Sequence, residues 1–259
     1  MQVSMQQLEA IERADQRERT LGTREFDGFG EDVWRTSELT WLDIRGKPKR
    51  GDLTIRVPVE STSIVESKSF KLYLMTFALL TFESKHQVIA TIKAHLDELL
   101  QASCDVTLNT GTPGFAFDPS FMEASHCLDY IPLGVSTFQP NQALLAPRRS
   151  ASRASGRYHT DTFRCLCPIS GQPDYATIVV SLQNGWLSAE SLLAYLVSFR
   201  THPTFHESAV ERIFRDVMAV CEPSSCSVLG SFARRGGIDI VPFRSTTAGP
   251  APNWRSPIA

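Results

Sequence analysis

An alternation of apolar and polar residues over positions 53–60 predicts a strand in the first half of the chain. One face of this strand carries four apolar side chains, Leu53, Ile55, Val57 and Val59. A helical period follows over Ser67–Leu80 and again over Ser84–Gln101, where apolar residues recur three or four positions apart. Residues 104–109 predict another strand, whereas residues 1–30 predict a polar lead-in.

The same order of elements recurs in the second half of the chain. Residues 177–183 predict a strand, and Ser188–Phe199 and His206–Glu222 predict two amphipathic helices. Residues 227–245 predict two strands joined by the turn ARRGG, because paired glycines supply the positive φ that a tight turn requires. Residues 133–157 are rich in Pro, Ser and Arg without an apolar period, which predicts an irregular connection.

The two halves also share short stretches of sequence. ELTWLDIRGKP (38–48) aligns with TFRCLCPISGQP (162–173), and KLYLMTFALLTFES aligns with LAYLVSFRTHPTFHES. The first alignment sets Leu42 at the position of Cys167. The duplication predicts an α+β fold of two tandem domains, each an antiparallel sheet with two helices on one face. The boundaries that we predict are 1–140 for the first domain, 141–157 for a linker and 158–259 for the second domain.

Composition and charge narrow the class of protein. Hydrophobic residues make up 42% and charged residues 21% of the chain, which is typical of a globular protein. A formal net charge of −2 provides no global field that would recruit nucleic acid. The arginines of the connection could hold a phosphate backbone, but no aromatic residues lie between them, which favours a solvated basic loop.

The sequence also bears on location and metal content. The N-terminal residues are charged and lack the apolar region of a signal peptide, and the longest apolar stretch, Leu72–Phe82, is too short to span a bilayer. We therefore expect a cytoplasmic protein without a membrane partner. The six cysteines are scattered and none shows the spacing of a zinc site, so we expect reduced thiols and no metal.

Two segments of the second half carry residue types suited to catalysis. In CPISGQPD, Cys167 precedes a turn that ends in Asp174, and a thiolate is nucleophilic while a nearby acid can move protons. A cysteine before a turn is also a common small core residue. In FHESAVERIF, His206 and Glu207 begin a helix, where Glu is favoured by the helix dipole alone and His can be a surface residue.

A third segment, ESKSFKLYL, lies at a helix start in the first half. Ser67, Lys68 and Ser69 would suit a phosphate, through backbone N–H groups and a cation. A capped and charged helix N-terminus is the common alternative.

Together, ESKSFKLYL, CPISGQPD, FHESAVERI and ARRGGIDI resemble, in this order, the QueF family of nitrile reductases in the tunnelling-fold superfamily. The resemblance runs from about Phe29 to Arg244. It implies two tunnelling-fold (T-fold) domains and an NADPH-dependent enzyme that reduces 7-cyano-7-deazaguanine to 7-aminomethyl-7-deazaguanine in queuosine (tRNA modification) biosynthesis. It also implies a homodimer with no direct nucleic-acid substrate. The first half keeps the ESK string and the second half the cysteine, as in the two-domain subgroup, which implies that the halves share a site.

The resemblance assigns roles to individual residues. Cys167 is the thiolate that attacks the nitrile carbon to give a thioimide, Asp174 is the acid that protonates the nitrile nitrogen, and His206 supplies a later proton. The substrate-binding set that it implies is Val65, Glu66, Ser67, His206 and Glu207. The cofactor-binding set that it implies, for NADPH, is Ser67, Lys68, Arg235 and Gly236.

This chain departs from the family pattern at two places. Met75–Leu80 replace an Asn-Ser-Phe-Asn-Gln-Thr run, and Val241 stands where an Asn usually precedes Pro242. Cys165 does not match a family nucleophile and is interpreted as a packed or resolving thiol. Two other functions remain open from the residues alone: a pterin-type tunnelling-fold enzyme, and a non-catalytic module that binds a purine-like ligand or RNA.

Overall fold

The computed structural model describes residues 3–111, 114–134, 137–145 and 153–258. The chain forms two compact units, which we call the N-terminal and C-terminal units. The N-terminal unit comprises Met1–Glu25, Glu31–Ala116 and Arg234–Ile240, and the C-terminal unit comprises Phe26–Gly30, Phe117–Ala233 and Val241–Ala259. These bounds differ from the predicted ones, since Phe117 and the residues after it belong with the second unit and the turn after Ala233 belongs with the first.

The N-terminal unit is an antiparallel sheet with helices. Its elements are β1 (Ala10–Glu12), α1 (Arg13–Leu21), β2 (Phe29–Leu42), β3 (Pro48–Pro58), β4 (Ser63–Val65), α2 (Ser67–Met75), α3 (Lys85–Leu100) and β5 (Asp105–Asn109). Strand β3 pairs antiparallel with β2 on one side and with β5 on the other. The short strands β1 and β4 pair antiparallel as a separate ribbon.

The prediction of a polar lead-in is wrong for the part of it that forms β1 and α1. Helix α1 begins at Arg13, whose guanidinium is buried and lies 2.5 Å from the carboxylate of Asp32. The same guanidinium donates to the hydroxyl of Ser61 at 2.9 Å. A helix anchored by a buried ion pair lacks the apolar stripe that periodicity detects, which is why the apolar pattern did not predict it.

The core of the N-terminal unit follows the predicted pattern. The alternate residues Leu53, Ile55 and Val57 of β3 are buried, and they belong to one apolar cluster with the buried stripe of α3. That stripe is Val88, Ile92, Leu96 and Leu100. Helix α2 continues as a 3-10 turn over Thr76–Leu79, so the predicted helix at 67–80 is confirmed with a tighter last turn.

The C-terminal unit repeats this arrangement. Its elements are β6 (Ser125–Cys127), β7 (Arg153–Leu166), β8 (Pro173–Trp186), α4 (Ala189–Val197), α5 (His206–Cys221), β9 (Ser225–Phe232) and β10 (Ile238–Ser245), the last of which begins in the other unit. The strands are ordered β10-β9-β8-β7-β6. Strand β9 pairs antiparallel with β10 and with β8, and β8 pairs antiparallel with β7, whereas β6 pairs parallel with β7. The predicted α+β class, with antiparallel sheets and two helices packed on each, is confirmed.

The predicted linker at 141–157 is only partly irregular. Residues Gln142–Leu145 form a 3-10 turn, and Arg153–Arg157 are the first residues of β7. The remainder of that prediction falls on residues 146–152, which lie outside the described residues. Strand β7 forms despite its polar start because it pairs along its whole length with β8.

Gly30 in β2 provides a stability prediction. Its φ is +153°, and a Cβ added there would overlap the backbone carbonyl oxygen of Phe243, which cannot move aside as a side chain can. We expect Gly30→Ala to lower the free energy of unfolding by about 3 kcal/mol or more. The matched control is Gly46→Ala, where φ is +76° but no atom lies within 4 Å.

Gly46→Ala should lower the free energy of unfolding by only about 1 kcal/mol, which is the backbone strain of a non-glycine residue at a positive φ. Urea unfolding of both variants measures the difference. Equal losses at the two positions would contradict the steric account of Gly30.

Candidate active site

Cys167 lies directly after the end of β7, at the start of the hairpin that leads into β8. Its backbone N–H donates to the carbonyl of Gln172 at 2.8 Å, and its own carbonyl accepts from the N–H of Gly171 at 2.9 Å. Gly171 has a φ of +69°, which this tight turn requires. Both backbone groups of Cys167 are therefore fixed, and its side chain is half-buried at the turn between β7 and β8.

The segment before α5 joins the same end of the sheet. Leu166 donates from its N–H to the carbonyl of His202 at 2.9 Å, and its carbonyl accepts from the N–H of Thr204 at 2.9 Å. This is a parallel bridge between Leu166 and Pro203. It brings the start of α5 next to the residue that precedes Cys167.

Asp174 and His206 form a buried pair in the C-terminal unit. Asp174 is the second residue of β8 and lies opposite Cys165 of β7 in the ladder. His206 is the first residue of α5, and its Nε2 lies 3.3 Å from Oδ2 of Asp174. Asp174 is 5% exposed and His206 is 8% exposed. A histidine in contact with a buried carboxylate is an arrangement able to transfer protons.

A contact that the sequence did not predict holds the imidazole of His206. The ring of Phe232, the last residue of β9, stacks on it with the centroids 3.9 Å apart and an interplanar angle of 9°. No short motif carries this contact, because the two residues belong to different elements and meet only through the fold.

Glu207 is the second residue of α5 and is 4% exposed. A carboxylate in the first turn of a helix is stabilised by the helix dipole. A buried carboxylate is also a strong acceptor for paired N–H groups of a ligand.

The N-terminus of α2, which carries the ESKSFKLYL segment, bears on the predicted phosphate site. Glu66 is the N-cap residue, and its carboxylate accepts from the N–H of Lys68 at 2.9 Å and of Ser69 at 2.6 Å. The Ser69 hydroxyl donates to the Glu66 carbonyl and accepts from the N–H of Glu9. The prediction that these backbone N–H groups hold a phosphate is therefore wrong, because the protein's own carboxylate takes them.

The other residues of that string lie as follows. Val65 is buried in the core, and its backbone pairs with Ala10 in the β1–β4 ribbon. Ser67 is half-buried at the first position of α2, and Lys68 is exposed. A phosphate in this region would therefore meet side chains rather than a helix end.

Arg235 and Gly236 form the turn between β9 and β10. The backbones of Arg235 and Ile238 exchange hydrogen bonds of 3.2 and 3.0 Å. Gly236 and its neighbour have φ values of +58° and +78°, as the ARRGG motif predicts. A Cβ at Gly236 would lie 3.5 Å from the side chain of Lys71, whose ammonium pairs with Glu38. The glycine turn and the cationic face of α2 are thus neighbours in the N-terminal unit.

The predicted repeat alignment is off by one residue at the site. Leu42 makes a parallel bridge to Thr81, with the same pair of backbone hydrogen bonds that Leu166 makes around Pro203. Leu42 therefore corresponds to Leu166, and Asp43 is the counterpart of Cys167. The first half has an acid at the nucleophile position.

The structure holds the six cysteines as thiols. Burial raises the pKa of Cys104 to about 12, of Cys221 to about 11 and of Cys226 to about 12. These three thiols are therefore protonated at neutral pH and poorly nucleophilic. Cys165 is 0% exposed and belongs to the apolar cluster of the C-terminal unit, as its interpretation as a packed thiol expected.

The described residues offer neither a metal-binding cluster nor a membrane-spanning helix. Within 3–111, 114–134, 137–145 and 153–258, no group of three His, Cys, Asp or Glu residues could hold a metal ion. Over the same ranges, no helix combines the length and apolar character needed to cross a membrane.

Comparison with known proteins matches both halves of the chain. A family model described as nitrile reductase, 7-cyano-7-deazaguanine-reductase N-term, matches residues 1–108. A second model, QueF-like protein, matches residues 173–250. A solved structure of an archaeosine synthase QueF-Like in the apo form is similar to 39% of this chain over 100% of its own length, at 20% identity and with a TM-score of 0.32.

Curated relatives match over much greater lengths. The NADPH-dependent 7-cyano-7-deazaguanine reductase of Saccharophagus degradans is 39% identical over 226 residues, which are 87% of this chain and 82% of the relative. The protein of the same name from Burkholderia ambifaria is 38% identical over 245 residues, 94% of this chain and 88% of the relative. With this identity over most of both lengths, the chain belongs to the QueF family of NADPH-dependent 7-cyano-7-deazaguanine reductases.

Proposed function

We propose that this chain reduces the nitrile of 7-cyano-7-deazaguanine to a primary amine with NADPH, in queuosine biosynthesis. The observation that supports it most is the half-buried Cys167, fixed at the turn between β7 and β8, together with Asp174 of β8, which is buried against His206 of α5. The test follows nicotinamide absorbance with the nitrile base present and absent. Consumption of NADPH only with the base is the expected result.

The first step in this proposal is covalent. The Cys167 thiolate forms a bond to the nitrile carbon, and one π bond of the nitrile breaks toward nitrogen. Asp174 donates a proton to that nitrogen, so the product is a neutral thioimide. Covalent addition replaces one difficult reduction by easier steps, because a thioimide accepts hydride more readily than a nitrile does.

His206 completes the proton path in this proposal. Its Nε2 lies 3.3 Å from Asp174, within reach of one proton transfer when the side chains tighten on substrate. His206 can therefore return a proton to Asp174 or deliver one to the reduced nitrogen. Glu207 and Glu66, with Ser67 and Val65, are proposed to bind the purine-like base, as the resemblance implies.

The residues present fit NADPH. Exposed Lys68, together with Arg235, provides cations for phosphate groups, and Gly236 leaves its backbone open to close approach by a ligand. Ser67 adds a hydroxyl beside Lys68. NADPH supplies the hydride, and two equivalents take a nitrile to an amine.

We expect a preference for NADPH over NADH, because the extra phosphate gains charge-assisted hydrogen bonds from Lys68 and Arg235. Lys68→Ala should lower kcat/KM for NADPH by about ten- to a hundredfold, the effect of losing one such bond. The rate of thioimide formation without NADPH should not change. The control is Lys85→Ala, which removes another exposed lysine of the same unit. Equal turnover with NADH and NADPH would count against these cofactor positions.

We also propose that the protein acts in the cytoplasm as a homodimer, as the resemblance implies, with no nucleic acid as its direct substrate. Light scattering at the concentrations used for the assay gives the mass in solution. A monomeric mass for the active enzyme would contradict the dimer.

A further inference from the structure

The stacking partner of His206 is itself rigidly held. Phe232 is 1% exposed, and its ring meets the ring of Phe163 edge-on, with centroids 6.2 Å apart and planes at 89°. Phe163 in turn packs on Phe199. The ring of Phe232 therefore has a fixed orientation, set by a buried aromatic cluster rather than by the imidazole.

The same residue is tied to Asp174 through the sheet. Phe232 lies opposite Ala176 in the β8–β9 ladder, and the next residue, Ala233, donates from its N–H to the carbonyl of Tyr175 at 2.9 Å. Tyr175 directly follows Asp174. One short stretch of β9 thus fixes the backbone beside Asp174 and, through the Phe232 ring, the imidazole of His206.

The orientation of the His206 ring depends on its stack with Phe232 and on its contact with Asp174. As the first residue of α5, His206 follows Phe205, an N-cap that makes no side-chain cap bond. Its Nε2 reaches Asp174 at 3.3 Å, which is at the long end for a hydrogen bond. Rotation of the imidazole about its Cβ–Cγ bond would carry Nε2 away from the carboxylate. A parallel ring at 3.9 Å blocks that rotation.

We propose that Phe232 is a positioning residue for the reaction: by stacking on His206 it keeps Nε2 directed at Asp174, so that protons pass between the two groups. This inference rests on the proposed function. It concerns the proton-transfer steps and leaves the attacking thiol of Cys167 untouched.

The kinetic test uses Phe232→Leu, which keeps an apolar side chain in the core but removes the ring face. We expect kcat/KM for NADPH-dependent reduction to fall by about ten- to a hundredfold, because a catalytic group displaced by about 1 Å loses rate on that scale. Phe214→Leu is the matched control, since it removes a buried ring from α5 that packs at a tilt against Phe26 rather than on His206. It should lose stability but keep turnover within a few-fold.

A double-mutant cycle separates positioning from general damage. If Phe232 acts through His206, then Phe232→Leu should cost nothing further in a His206→Ala background. Additive losses in the double variant would overturn the proposal.

A second measurement needs no substrate. A stacked ring shields the nuclei above its face, so the imidazole carbon-bound protons of His206 should resonate upfield in the free protein and move downfield in Phe232→Leu, but not in Phe214→Leu. Unchanged signals in Phe232→Leu would overturn the stacking itself. A wild-type protein that shows the shift but consumes no NADPH with the nitrile base would instead refute the proposed function, so the two failures are distinguishable.

Discussion

Cys167→Ala is expected to reduce NADPH consumption with the nitrile base by at least about 10⁴-fold, to the background rate. Removal of the nucleophile of a covalent mechanism leaves only what binding and polar contacts contribute, which is a loss of this order. Steady-state turnover of the purified variant is the measurement. The fold should survive, because the half-buried side chain is replaced by a smaller one at a hairpin whose backbone bonds are unaffected.

Cys165→Ala is the matched control for that variant. Cys165 lies two positions away, but its side chain is fully buried in the apolar cluster of the C-terminal unit. Its loss should lower the free energy of unfolding and leave turnover within a few-fold. If Cys165→Ala abolished turnover and Cys167→Ala did not, the nucleophile would be assigned to the wrong cysteine.

Asp174→Asn is expected to slow thioimide formation by about 10²- to 10⁴-fold, the usual contribution of general acid catalysis. The amide has nearly the shape of the carboxyl group, so packing is kept, but it has no acidic proton for the nitrile nitrogen. Stopped-flow mixing with the nitrile base in the absence of NADPH measures this step alone.

Asp216→Asn controls for the loss of a partly buried acid on the same helix as His206. Burial raises the pKa of Asp216, and its Oδ2 accepts from the Tyr195 hydroxyl at 2.6 Å. It lies ten residues after His206 on α5, about 15 Å along the helix axis. Thioimide formation in this control should match the wild type. Equal slowing in both aspartate variants would mean that the effect comes from the fold rather than from acid catalysis.

Apolar periods predicted helices α2 to α5 and strands β3, β5, β8, β9 and β10, because these periods match the faces that the elements bury. The predicted helix at 206–222 is confirmed as α5, His206–Cys221, with its apolar stripe in the core. The turn between β9 and β10 followed from paired glycines with positive φ. Helix α1 escaped detection because its anchor is the buried charge of Arg13.

The one-residue error in the repeat has a local cause. Asp43 donates from its N–H to the carbonyl of Lys47, whereas Cys167 donates to Gln172, so the second turn is one residue longer. The alignment matched the Gly-x-Pro of the two turns. Because the second turn is one residue longer, the residues before it were paired one position out of register. Turn length is set by backbone hydrogen bonds, which a sequence comparison does not reveal.

In the candidate site, short motifs identified individual residues, whereas the contacts between elements came only from the structure. Two separate motifs named Asp174 and His206, and the structure brings their side chains to 3.3 Å from one another. The role of Glu66 as an N-cap and the stacking of Phe232 on His206 depend on side-chain orientation in the folded chain. Neither can be derived from spacing, because each needs the position of a second element.

The most direct test of covalent catalysis is the mass of the protein after incubation with 7-cyano-7-deazaguanine in the absence of NADPH, followed by peptide mapping. The proposed mechanism predicts the addition of one molecule of the base, located on Cys167 and absent from Cys167→Ala. An adduct that persists in Cys167→Ala, or a wild-type protein that reduces the base but never shows an adduct, would contradict it.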